Sequence, residues 1–322
     1  MRWRRREAAT DESPLVFTGS ASPALTRAVC SDLGVEPARG ETRHFSEGTL
    51  FVKARENVRG RNVYVVQSTS RPTNDNLVEL LFWIDALKRA SAASVTAVVP
   101  YFGYGKGDRK DEPRVSIRAR VCADAIESAG VDRVVTMDLH APQIQGFFRV
   151  PVDDLYAMPY LVDALRAERL ESPVVVAPDA GSAKRARRFA RRLGATVAIA
   201  EKEREGHDER AELVELIGDV SGRDAILVDD VVLTGGTLVE AARILRDRGA
   251  RRIFAAVTHG VFSGGRTALD AAPIERLFCT DTIEQRPHDA PACMQRVTVA
   301  PLFAEAIRRI DRRESISSLF DE

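Results

Sequence analysis

Asp229-Asp230-Val231-Val232-Leu233-Thr234-Gly235-Gly236-Thr237 follows the apolar run Ala225-Ile226-Leu227-Val228 and precedes Leu238-Val239-Glu240-Ala241-Ala242-Arg243-Ile244-Leu245. The apolar run reads as a buried strand and the following stretch as an amphipathic helix. Two carboxylates at the C-terminal end of a strand can accept hydrogen bonds from a sugar diol. The Thr-Gly-Gly-Thr turn carries little side-chain bulk, so its backbone N–H groups can close on a phosphate at the helix N-terminus. The combination suits a phosphorylated pentose. It is not a P-loop, since no G-x-x-x-x-G-K-[ST] occurs in the chain. The plainer alternative is a strand–turn–helix with a capping Thr, because Gly and Asp are common at such turns.

The same alternation recurs elsewhere. Amphipathic stretches at 80–90, 121–129 and 238–248 lead through short turns into β-branched runs at 95–99, 133–137 and 252–257. Such alternation predicts βαβ units and a mainly parallel sheet. Two of the joins are alike, Gly130-Val131-Asp132-Arg133-Val134 and Gly249-Ala250-Arg251-Arg252-Ile253, with Gly fitted to end a helix in the left-handed conformation. The weak repeat suggests two related α/β halves. The runs at 174–177 and 196–200 supply further strands. The expected organisation is a basic N-terminal tail over 1–13, one α/β domain over 14–155, a second over 156–300, and a segment 301–322 folding back on the first.

Composition narrows the function classes. The 322 residues hold 47 Lys plus Arg against 47 Asp plus Glu, so net charge gives no argument for nucleic acid or an anionic membrane. No apolar stretch approaches the ~20 residues that span a bilayer. The start Met1-Arg2-Trp3-Arg4-Arg5-Arg6 is basic, but no apolar region follows to make a signal peptide. Cys30, Cys122, Cys279 and Cys293 are scattered and read as buried small apolar residues, which points to a reducing, cytoplasmic setting.

The segment at 229–237 resembles the phosphoribosyl-pyrophosphate loop of phosphoribosyltransferases and ribose-phosphate diphosphokinases. Other segments choose between the two. Pro72-Thr73-Asn74-Asp75-Asn76-Leu77, Pro100-Tyr101-Phe102-Gly103-Tyr104 and Asp138-Leu139-His140-Ala141-Pro142-Gln143-Ile144-Gln145-Gly146 are similar to the diphosphokinase N-terminal half. Pro178-Asp179-Ala180-Gly181, Glu201-Lys202-Glu203-Arg204 and Glu314-Ser315-Ile316-Ser317 continue the likeness in order to about residue 320. The resemblance implies two phosphoribosyltransferase-type domains with the active site between them. It also implies an activity: transfer of a diphosphoryl group from ATP to ribose 5-phosphate.

The roles implied are specific. Lys202 and Arg204 match catalytic cations on a charged lid, with Arg204 also reaching the sugar phosphate. Asp229 and Asp230 would contact the ribose hydroxyls, Thr234, Gly235, Gly236 and Thr237 would hold the 5-phosphate, and Leu233 would stand in the same ribose 5-phosphate loop. His140 and Asp179 would lie at the Mg²⁺–phosphate site. The nucleotide would meet Phe45, Glu47, Gly48 and Thr49 from one subunit and Lys106, Gly107, Asp108 and Arg109 from its neighbour, in a homo-oligomer built from dimers. Phe45 would stack on the base, or else is a core Phe at a strand start. Arg114, Gln145, Ser315 and Ser317 match an inter-subunit site for phosphate or ADP.

The chain departs from the family in places. Glu47-Gly48-Thr49 replaces Asp-Gly-Glu, Lys106-Gly107 replaces Arg-Gln, and Leu233 replaces an Asp. These changes cluster around substrates. They fit an active enzyme with altered donor preference, and they also fit a non-catalytic regulatory subunit. A phosphoribosyltransferase on a nitrogenous base is the third reading.

Overall fold

The computed structural model describes residues 13–202, 213–286 and 288–320. Most of the predicted N-terminal tail and Arg204 lie outside the described residues. In chain order the first half comprises β1 (Leu15–Thr18), α1 (Pro23–Leu33), the hairpin β2 (Gly40–His44) and β3 (Leu50–Ala54), then β4 (Asn62–Val66), α2 (Thr73–Arg89), β5 (Ser94–Val99), α3 (Arg118–Ser128), β6 (Arg133–Met137) and β7 (Val152–Leu155). The second half comprises α4 (Met158–Arg166), β8 (Val174–Ala177), α5 (Ala183–Leu193), β9 (Thr196–Lys202), β10 (Leu213–Ile217), β11 (Asp224–Val232), α6 (Gly236–Asp247), β12 (Arg252–Gly260), α7 (Thr267–Asp270), β13 (Arg276–Thr280), β14 (Met294–Val297) and α8 (Ala300–Asp311).

Two mainly parallel sheets result. The first has the order β1-β4-β5-β6-β7 and is parallel throughout. The second runs β10-β9-β8-β11-β12-β13-β14, with only β10 antiparallel to its neighbour. The strands read as near-continuous apolar runs because helices cover both faces. α2 and α3 cover the outer face of the first sheet with Leu80, Trp83, Ile84 and Ile126. α6 covers the outer face of the second with Leu238, Val239 and Leu245. The middle layer is shared: Val16, Tyr64 and Val135 from the first sheet lie in one cluster with Phe254 and Phe278 from the second. α8 packs on α1, and Arg308 donates to the Asp32 carbonyl at 2.8 Å. The two halves are thus joined by one continuous core.

Several elements differ from the sequence expectation. α2 starts at Thr73, a full turn and more before the apolar stripe, and within this polar start Asn76 and Glu79 are buried, the latter in a polar nest. It accepts from Ser20 N at 3.1 Å, Thr42 Oγ1 at 2.6 Å and Gln67 Nε2 at 2.9 Å. The polar hairpin of β2 and β3 is held to α2 by that Thr42 contact. Cys30, Cys122 and Cys279 are buried, whereas Cys293 is only half-buried. Among the described residues no helix is long and apolar enough to cross a membrane.

Candidate active site

In open α/β sheets ligands bind beyond the strand C-termini, and both sheets bring their chemistry there. β11 does not stop at Val228 as its apolar run suggests. It continues through both aspartates to Val232, pairing Asp229 with Val257 and Val231 with His259. Gly235 follows with φ +91°, a left-handed turn that favours Gly, and becomes the N-cap of α6. A Cβ there would meet Leu269 Cδ1 at 2.9 Å. Gly264 presses on the same turn, since a Cβ would lie 2.9 Å from the Thr234 carbonyl. The first-turn N–H groups of α6 are those a helix leaves without intrahelical acceptors. Thr234 and Thr237 are exposed at this mouth, and so is Leu233.

The decisive contact spans the halves. His140, just beyond β6, has Nδ1 2.7 Å from Asp230 Oδ2 on β11. A carboxylate only accepts, so Nδ1 carries the proton. Asp230 is 7% exposed. Burial acts to raise its pKa, but the His140 hydrogen bond and the Arg185 charge outweigh it, so the carboxyl sits well below the usual range. The same bond raises His140 against the opposing effect of burial. Asp229 is shifted the other way, upward, by burial and by the Asp230 charge. Lys106 lines the same cleft as His140 and Asp230, and its charge opposes protonation of His140.

Other predicted residues are less converged. Asp179 is exposed and caps a short turn, its Oδ1 accepting from Ser182 N at 2.8 Å and Ser182 Oγ at 2.6 Å. No cluster of three or more His, Cys, Asp or Glu able to hold a metal occurs among the described residues. Lys202 ends β9, and its side chain lies outside the description. Phe45 is not a core residue: it is 45% exposed at the hairpin tip, its ring centroid 6.4 Å from that of Phe51. Glu47, Gly48 and Thr49 are exposed beside it, and Thr49 donates to Glu47 at 2.8 Å. Gly107 is buried against Arg118, whose Nε would lie 2.6 Å and Cβ 2.8 Å from an added Cβ. A larger residue at 107 therefore requires Arg118 to move. Asp108 accepts from Gln143 at 2.9 Å, and Arg109 is exposed.

Ser315 and Ser317 line a 410 Å³ cleft with Arg133 and Arg313, and neither Arg114 nor Gln145 contributes to it within one protomer.

Sequence reasoning passes over three groups. Asp138 lies inside a quoted motif, yet its carboxylate was given no role. It accepts from Thr258 Oγ1 at 2.6 Å and faces Arg185 Nη1 at 3.7 Å. Asp154 accepts from Leu139 N at 3.1 Å, and burial beside Asp138 pushes its carboxyl up to about 7. His259 is the histidine bonded to a carbonyl in the core, the plain role that His140 does not have. The available signal was position: each sits at or beyond a strand's C-terminal end, as His140 and Asp229 do.

The profile for the N-terminal domain of ribose phosphate pyrophosphokinase matches residues 15–130, and that for the phosphoribosyl synthetase-associated domain matches 208–321. A ribose-phosphate pyrophosphokinase of Ralstonia nicotianae is 47% identical over 317 residues, covering 97% of this chain and 100% of that protein. Its counterpart from Wolinella succinogenes is 45% identical over 306 residues, covering 95% and 98%. The crystal structure of phosphoribosylpyrophosphate synthetase from Mycobacterium smegmatis matches with a TM-score of 0.88 at 36% identity, over 94% of this chain and 100% of that one. With its two α/β halves and the His140–Asp230 contact between them, the chain belongs to the ribose-phosphate pyrophosphokinase family.

Proposed function

We propose that this chain transfers the β,γ-diphosphoryl group of ATP to the anomeric hydroxyl of ribose 5-phosphate, giving 5-phosphoribosyl 1-pyrophosphate and AMP. The hydroxyl oxygen attacks the β-phosphorus, and the bond from that phosphorus to the α–β bridging oxygen breaks. No covalent enzyme intermediate is needed, so catalysis is alignment of two anions and stabilisation of oxygen charge. The observation that carries the reading is the His140–Asp230 hydrogen bond, which ties the half bearing Lys106 to the half bearing the Thr-Gly-Gly-Thr turn.

The residues divide the work. Asp229 and Asp230 orient the ribose hydroxyls, and the N–H groups of residues 235–237 hold the 5-phosphate. Lys202 and Arg204 serve the transferring group, one as a point charge and the other as a planar fork. Mg²⁺, when bound, neutralises the phosphates of ATP. Such an ion keeps several waters and takes few protein oxygens; with Asp179 Oδ1 and His140 Nδ1 engaged within the protein, Asp179 Oδ2 and His140 Nε2 would hold it or its water. The exposed hairpin tip with Phe45, Glu47, Gly48 and Thr49 suits contribution to a neighbouring subunit's nucleotide site, beside that subunit's Lys106, Gly107, Asp108 and Arg109. This arrangement calls for a homo-oligomer built from dimers.

The cleft at Ser315 and Ser317, completed by Arg114 and Gln145 of a neighbouring protomer, binds phosphate as activator and ADP as inhibitor. Unchanged responses to both in Ser315→Ala and Ser317→Ala would remove that assignment.

The main test is stoichiometry. Purified protein with ATP, ribose 5-phosphate and Mg²⁺ should release AMP and 5-phosphoribosyl 1-pyrophosphate one to one, by chromatography of quenched samples. Release of ADP in place of AMP would refute diphosphoryl transfer.

A further inference from the structure

The hydrogen bonds around His140 close into a ring that runs through both halves and through residues given no part in the reaction. From Asp230 on β11 the ring passes to His140. Two residues back, Asp138 turns the chain with φ +44°, a left-handed conformation that Asp tolerates and β-branched residues do not. Its Oδ2 accepts from Thr258 Oγ1 at 2.6 Å and from Ala157 N at 3.2 Å. One residue further back, the Met137 carbonyl accepts from His259 Nε2 at 3.0 Å. Thr258 and His259 belong to β12, which pairs with β11 through Asp229 with Val257 and Val231 with His259. The ring is therefore β11, His140, the end of β6, β12, and β11 again.

With the buried His259 ring neutral, one assignment satisfies both of its nitrogens, with Thr282 turning its hydroxyl to the ring although Thr280 Oγ1 and the Thr258 carbonyl also lie in reach. The Met137 carbonyl only accepts, so Nε2 carries the proton. Nδ1 is left to accept from the Thr282 hydroxyl at 2.9 Å. His259, Thr258 and Thr282 are all buried. A filler role would be met by apolar side chains, and replacing buried polar groups by apolar ones of like volume is often neutral or stabilising. A buried polar network with every member bonded instead specifies one geometry.

We infer that Asp138 and His259 are positioning residues. They fix the end of β6 against β12 and so hold the His140 ring on Asp230, next to the ribose site. The inference rests on the function proposed above for its kinetic part and on geometry alone for its structural part.

Two substitutions each cut one tie without emptying the core. Thr258→Val removes the donor to Asp138, and Thr282→Val removes the donor to His259. Thr258→Ser restores the hydroxyl at the first site. A reacting group displaced by 1 Å costs up to about 10²-fold in rate. One slackened tie should therefore lower kcat about tenfold in either Val variant, with KM for ATP within about twofold, and Thr258→Ser should recover most of the loss. The independent readout needs no substrate or metal. The chain has 5 histidines, so ¹⁵N-histidine labelling resolves their ring signals, with His140→Asn identifying one set. The His140 nitrogens should shift in Thr258→Val and return in Thr258→Ser.

Wild-type kcat and an unmoved His140 signal in both Val variants would overturn the inference. So would a Ser variant as impaired as Val, which would mean packing alone. Near-UV circular dichroism checks folding, and if Thr258→Val does not fold, Thr282→Val carries the test. An inactive wild-type protein would sink the proposed function, while the ring signals would still decide the geometry.

Discussion

His259 makes stability depend on pH in a way that can be measured apart from catalysis. The ring is fully enclosed, with Nε2 on the Met137 carbonyl and Nδ1 on Thr282. Burial lowers its pKa, outweighing the Asp138 and Asp230 charges that act to raise it. The unfolded chain should titrate near the ordinary value of about 6.5. Below that pH the unfolded state binds the proton more readily, so stability is full above about 6.5 and declines as pH falls. If the ring stays neutral at pH 5.5, the loss between pH 7.5 and 5.5 reaches about 1.4 kcal/mol, one pK unit of free energy. His259→Gln offers an amide N–H to Met137 and a carbonyl to Thr282 but cannot titrate. Its own cost of about 1–3 kcal/mol for imperfect bonding is independent of pH. Urea unfolding of both proteins at equal concentration, at pH 7.5, 6.5 and 5.5, isolates the histidine as the difference. The gap between wild type and His259→Gln should narrow by up to about 1.4 kcal/mol on acidification. A gap constant over the series would refute the buried neutral ring.

Three further outcomes are expected. Gly264→Ala drives a Cβ to within 2.9 Å of the Thr234 carbonyl, so the turn must shift, at a cost of about 1–3 kcal/mol in stability, and KM for ribose 5-phosphate should rise about tenfold; steady-state kinetics decides. Lys202→Ala should keep ribose 5-phosphate binding, measured by calorimetry, and lose kcat by about 10²–10³-fold, since its contact forms mainly in the transition state. Asp224 is fully buried, accepts from Arg251 at 2.7 Å, Arg252 at 2.6 Å and Glu171 N at 2.7 Å, and those partners hold its carboxyl below the usual range against burial. Asp224→Ala should destabilise by about 1–3 kcal/mol in denaturant titration, because it removes a buried acceptor of three hydrogen bonds while leaving the partly exposed Arg251 and Arg252 in reach of water.

The parts of the fold legible in the sequence were those written in local patterns. The apolar run 225–228 and the Thr-Gly-Gly-Thr turn gave β11 and the start of α6. The parallel architecture followed from helices alternating with β-branched runs. Polar elements were missed for a physical reason. β2, with sequence Gly-Glu-Thr-Arg-His, has no apolar alternation, and its anchor is Thr42 on the buried Glu79. The first turn of α2 is polar as well, and its Asn76 is buried and donates to the Ser70 carbonyl. β11 outran its apolar stretch because Asp230 finds His140, 90 residues away in the chain, and because the ladder to β12 continues. The candidate site was legible where a motif kept its residues together, as at 229–237. The ring through Asp138, Thr258 and His259 joins residues about 120 apart, and no local spacing encodes it. Phe45 shows the reverse case: pattern reading leaves it open between core and ligand, and its exposure at the hairpin tip removes the core alternative.

The most direct test of the central claim is a phosphorus NMR time course with Mg²⁺, ribose 5-phosphate and ATP, repeated with GTP and CTP. The account predicts that AMP and the doublets of a sugar-linked diphosphate grow in together, without ADP or orthophosphate. The nucleotide series then reads the preference set around Thr49, Lys106 and Gly107. ADP accompanied by a sugar bisphosphate, or no turnover with any donor in a folded sample, would contradict it.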